Sequence, residues 1–86
     1  MSLPARAKVL DRMMSELEDY IQDAGINVTS DKIIELEGKT KVVKQVAYKL
    51  MRESEEASDT DSHDIAVTAF YRCKELLDMM RGGEAS

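Results

Sequence analysis

Gly38-Lys39-Thr40, inside the stretch IELEGKTK, ends as a phosphate-binding P-loop ends. In such a loop backbone N–H groups curl around the phosphates, the lysine reaches their outer oxygens and the hydroxyl takes a metal ion. The first glycine of that motif would fall at position 33, where the chain has Ile33. No apolar strand leads into it either. The stretch reads better as a helix stop at Gly38 followed by a helix cap at Thr40.

Two other sets of residues have chemical potential. In DTDSHD, the residues Asp59, Asp61 and His63 alternate as the first ligands of a calcium loop do. The sixth place of that loop wants glycine and has Asp64, and the twelfth wants a bidentate glutamate and has Phe70. One histidine without a second histidine or a nearby cysteine makes no zinc set. The acidic stretch is expected to cap the last helix and to place acid at its positive end. Cys73 and His63, the single cysteine and single histidine, are the pair best suited to act as nucleophile and base, and on one helix ten residues separate them by roughly 15 Å. Cys73 falls within an apolar stripe, the usual place of an inert thiol. No catalytic residue, no metal ligand and no cofactor site is expected, and the chain is read as a non-enzyme.

Charge is distributed more tellingly. From Lys39 to Arg52 there are five bases, Lys39, Lys41, Lys44, Lys49 and Arg52, and no acid. From Glu53 to Asp64 there are six acids and no base besides His63. A helix over this region carries lysine first and glutamate last, the reverse of what its dipole favours. Pairs Lys49–Glu53 and Arg52–Glu56 would offset part of that. Lys41, Gln45, Tyr48 and Arg52 share one polar face, an aromatic ring among cations. With Lys39 and Lys44 they form the candidate surface for an acidic partner. The paired methionines add a second candidate: Val9, Met14 and Met79 are expected to form an apolar surface patch, while Met13 and Met80 fill the core.

These residues must be positioned by helices. Ser2 caps a first helix with Pro4 in its opening turn, and Leu10, Met13, Met14, Leu17, Tyr20, Ile21 and Ala24 recur at helical steps. Gly25 ends it, with Ile26 folding back on Ile21. Residues 26–37 read as a short helix capped by Thr29 or Ser30 and stopped by Gly38; the alternative is a small β-hairpin. A third long element follows from Thr40 to about Glu56. The last starts near Ser62, carries Ala66, Ala69, Phe70, Cys73, Leu76, Leu77 and Met80, and ends at Gly82-Gly83. The expectation is thus an all-α bundle of three long helices plus one short helix. It forms a single domain over 1–86, with 82–86 a frayed tail.

Composition agrees. The chain has 86 residues, 43% of them apolar but only 5% aromatic, with no tryptophan, so aliphatic side chains must do the packing. A lone cysteine, no signal-length apolar run in MSLPARAKVL and no membrane-length segment point to a cytoplasmic protein without membrane insertion. The net charge of −5 argues against general nucleic-acid coating.

The stretches GINVTSDKIIELEGKTKVVKQVAYKLMRESEE and AVTAFYRCKELLDMM, and with them the whole chain, resemble the small cytoplasmic accessory proteins of T-even-type phages, the lysis-inhibition accessory proteins above all. The resemblance implies a cytosolic protein whose partner is the cytoplasmic part of a holin. It carries over no functional residues. It accords with the reading from the residues themselves: a small regulatory module that binds another protein with an acidic or helical surface and self-associates into a homo-oligomer. The alternative is a helix-turn-helix-like nucleic-acid binder using the basic helix 39–52. Against it, Lys44 falls where that motif wants a buried aliphatic, and the acids from Asp59 to Asp64 would repel phosphate.

Overall fold

The computed structural model describes residues 2–24 and 29–85, the side chains of 24 and 81–85 excepted. It contains three helices, α1 (Leu3–Ala24), α2 (Ser30–Glu56) and α3 (Thr60–Ala85), and no strand among the described residues. The all-α bundle is therefore the fold, with three helices where three long ones and a short one were expected.

Each helix buries a stripe with the same step. In α1 it is Ala7, Leu10, Met14 and Leu17; in α2, Leu36, Thr40, Val43, Ala47, Leu50 and Ser54; in α3, Ser62, Ala66, Ala69, Cys73 and Leu76. Alternating steps of three and four residues average 3.5, the period that keeps one seam turned toward neighbouring helices. The side chains of α1 on this seam are mostly large. Most of those of α3, and half of those of α2, are small, and α2 and α3 make the most extensive contact of the three pairs. α1 then lies across that hairpin, antiparallel to α2, with Arg6 reaching Glu53 and Tyr20 reaching Glu35.

The short helix expected within 26–37 and the basic helix after it are one element, α2, from Ser30. Gly38 is not a stop, and the hairpin alternative fails because residues 30–37 are helical; residues 25–28, including the expected cap at Gly25 and Ile26, lie outside the described residues. Leu36 and Thr40, on either side of Gly38, both point into the core. A break at 38 would put one of them out of phase, and the burial at stake outweighs the roughly 1 kcal/mol that a mid-helix glycine costs relative to alanine. Thr40 is accordingly no cap. It is buried, and its hydroxyl donates to the Leu36 carbonyl at 2.7 Å. Ser54 does the same to Leu50 at 2.7 Å, so these seam hydroxyls are satisfied within their own helix. Thr29 provides the N-cap, its hydroxyl oxygen accepting from Lys32 N at 3.2 Å.

Nothing lies within 4 Å of a Cβ built at Gly38. Gly38→Ala is therefore expected to stabilise the fold by about 0.5–1 kcal/mol. Urea unfolding of dilute protein measures this, and a loss of stability would mean that the backbone at 38 is needed as glycine.

The turn between α2 and α3 is local chemistry. Asp59 N–H donates to Ser54 O at 2.9 Å and Ser58 N–H to Glu55 O at 3.1 Å, the two bonds of a Schellman cap. Ser58 takes the left-handed position with φ of 57°, where glycine is the usual occupant. Asp59 then caps α3, accepting from Ser62 N at 3.2 Å and Ser62 Oγ at 2.9 Å, while Asp61 stands in the first turn. The acidic stretch caps the helix as read from sequence, but α3 starts at Thr60, two residues before Ser62, and helical backbone passes Gly82-Gly83 to Ala85. Ser58→Gly removes the steric cost of a left-handed side-chain-bearing residue, about 1 kcal/mol, set against glycine's greater unfolded-state freedom. A rise of several tenths of a kcal/mol in unfolding free energy is expected. An unchanged or lower value would show that the Ser58 side chain supplies something the turn needs.

Candidate interaction groove

The α2–α3 hairpin places one side of each helix beside an open groove of about 380 Å³, lined by Lys41, Lys44, Gln45, Tyr48, Phe70 and Leu77. On α2, Lys41, Gln45 and Tyr48 follow at helical spacing; on α3, Phe70, Lys74 and Leu77 do the same. Antiparallel packing brings Tyr48 and Phe70 to a ring-centre distance of 5.8 Å, and Phe70 meets Tyr71 edge-on at 5.7 Å. The result is a ladder of three rings, with Tyr48 and Tyr71 largely exposed, the latter at 56%.

Cations flank the ladder. Lys44 Nζ lies 5.6 Å from the Phe70 ring centre, Arg52 lies 5.9 Å from that of Tyr48, and Lys74 stands 5.9 Å from Phe70 and 5.5 Å from Tyr71. Among the described residues none of Lys41, Lys44, Arg52 or Lys74 forms an ion pair within 4.0 Å. The expected Arg52–Glu56 pair is replaced by the ring contact. The expected Lys49–Glu53 pair gives way to Arg6, whose guanidinium grips Glu53 with two bonds of 2.9 and 2.6 Å from α1. A planar fork matched to a carboxylate outcompetes a single ammonium.

Of the residues read from sequence, Lys41, Lys44, Gln45 and Tyr48 come together here, with Arg52 at one end. Lys39 does not. It lies on the other flank of α2, its Nζ 5.0 Å from the Tyr20 ring centre, in a cluster where Lys32 covers the same ring and Tyr20 hydrogen-bonds Glu35. Met14 is also placed differently: it is 8% exposed, in the core, and its sulfur meets the Cys73 thiol at 3.5 Å. Of the adjacent pair Met13–Met14, the seam step falls on Met14, and Met13 packs at its edge. Val9 and Met79 are exposed but separate. With Met14 level with Cys73 on the parallel α3, they stand roughly 16 Å apart along the bundle, too far for one patch. From sequence Phe70 reads only as a member of the apolar stripe, and Tyr71 and Lys74 are not picked out. The signal was there: Phe70 and Tyr71 are neighbours, so one of two adjacent rings had to leave the apolar stripe.

The remaining chemistry is quiet. Cys73 is fully buried, and that burial pushes its thiol up to about 11. His63 lies on the same unbroken helix, roughly 15 Å along its axis. Gly38-Lys39-Thr40 sits mid-helix, where no backbone N–H is free to curl around a phosphate. The hydrogen bonds from Arg6 hold the Glu53 carboxyl below the usual carboxylate range. A folded-state value below the unfolded one contributes stability above the unfolded value, and that contribution is lost as pH falls through the folded value. Glu53→Gln is therefore expected to flatten the acid side of the stability–pH curve. Parallel curves for the two proteins in urea unfolding would contradict it.

No protein-family model, curated protein or solved structure matches this chain.

Proposed function

We propose that this chain is a non-enzymatic interaction module that holds an acidic segment of another protein in the α2–α3 groove. One observation carries the reading: a chain of net charge −5 gathers three of its four aromatic rings and four cations on one face, with Lys44, Arg52 and Lys74 over rings and none of the four in an ion pair among the described residues. Exposed rings give contact area at little entropic cost, and a ring flanked by cations binds an acidic helix by both packing and charge. The resemblance to phage lysis-inhibition accessory proteins supplies the finer proposal. The partner is then the cytoplasmic part of a holin, and the outcome is control of lysis timing in the cytoplasm.

A nucleic acid is the weaker candidate. Its helix-turn-helix form is lost because α2 runs unbroken through Gly38. The exposed acids Glu55, Glu56, Asp61 and Asp64 crowd the turn beyond Arg52.

The test is calorimetric titration of the holin cytoplasmic segment into the wild type and the variants Lys44→Glu, Tyr48→Ala and Lys74→Glu, with Lys8→Glu on α1 as control. Binding that fails in the three groove variants and persists in the control supports the proposal. Equal binding by all five proteins removes the groove from it, and no binding by the wild type removes the holin. Duplex DNA titrated at low and high salt covers the weaker candidate, since phosphate binding must fall steeply with salt.

A further inference from the structure

The outer face of α2 is self-complementary about Gly38, its edges bordering α1 at Glu35 and the α2–α3 groove at Lys41. Ile34 precedes Gly38 by four residues and Val42 follows it by four; both are apolar, and they are 69% and 56% exposed. Glu35 precedes it by three and Lys41 follows it by three, of opposite charge and both exposed, although Glu35 also accepts from the Tyr20 hydroxyl and faces Lys32 at 3.7 Å. At the centre stands the one residue without a side chain, with open space above it. Steps of three and four place all five on one helix face.

We propose that a second copy of this chain packs here, α2 against α2, on a two-fold axis through Gly38. A two-fold axis perpendicular to a helix makes the pair antiparallel and sets positions equidistant from the axis against one another. Ile34 of each copy then packs on Val42 of the other, and Glu35 of each meets Lys41 of the other. Both contacts form twice. Glycine at the crossing lets the backbones approach closely, which also accounts for its presence in the middle of a helix that would be more stable with alanine. A parallel arrangement would lose this matching, setting Glu35 on Glu35 and Lys41 on Lys41. The face lies apart from the ring ladder, with only Lys41 bordering both, so this inference does not depend on the proposed function.

Light scattering with size exclusion, and sedimentation equilibrium, test it on the full chain. The wild type should show twice the 9.7 kDa of one chain at high concentration. Glu35→Lys sets lysine against lysine and Lys41→Glu sets glutamate against glutamate, so each variant alone should lose the dimer. Mixed in equal amounts, they should regain it as a heterodimer, because every Lys–Glu contact is restored. Gly38→Leu should stay helical by circular dichroism and become monomeric. A wild type that remains monomeric at all concentrations overturns the proposal. So does a dimer that survives either charge reversal, or two monomeric variants that do not associate when mixed.

Discussion

Leu50→Ala is expected to lower the unfolding free energy by about 2–5 kcal/mol. Leu50 is 1% exposed and belongs to the core cluster shared by all three helices. Removing its outer carbons forfeits their transfer out of water and leaves a cavity between rigid helices, which collapse only in part. A domain of this size has a total stability on the order of 5–10 kcal/mol, so the variant loses a large share of it. Urea unfolding should show a much lower midpoint with the same slope, because the surface exposed on unfolding is nearly unchanged. Met79→Ala serves as the comparison. Met79 is 71% exposed, and its removal should stay within about 0.5 kcal/mol. If the two variants proved equal, the core would lie elsewhere.

Ala66→Leu should destabilise the protein by about 1–3 kcal/mol, although leucine is almost as good a helix former as alanine. Ala66 has no exposed surface and lies on the buried stripe of α3, the helix in most extensive contact with α2. Three further carbons there must push α3 away or force strained rotamers. Because Phe70 stands one turn further along the same helix, a displaced α3 also parts its ring from Tyr48 and opens the groove. Partner binding should weaken along with stability. An Ala66→Leu protein as stable as the wild type, with binding intact, would show that the seam has room and that small residues are not what sets its spacing.

These two expectations rest on features that were unequally legible beforehand. The core stripe of α3 is nearly complete in the sequence, since Ala66, Ala69, Cys73 and Leu76 recur at helical steps. The cation face of α2 was legible for the same reason. Gly38 was misread because glycine ends helices often, and the local signal for a stop is indifferent to whether Leu36 and Thr40 must share a face. Half of the groove was missed because Phe70 has two roles, one side against the core and the other against Tyr48.

The sequence by itself determined the helical class, the buried stripe of α3, and an acidic cap at the start of that helix. All of these depend on neighbours within four or five positions, where backbone geometry alone dictates what meets what. Only the tertiary structure decided that α2 passes unbroken through Gly38, that Arg6 takes Glu53 from Lys49, that Met14 rather than Met13 enters the core, and that Tyr71 and Lys74 join Tyr48 and Lys44. Those outcomes join residues far apart in the chain or compare rivals for one place. They follow from which helix faces are pressed together, a matter of packing that no local spacing encodes.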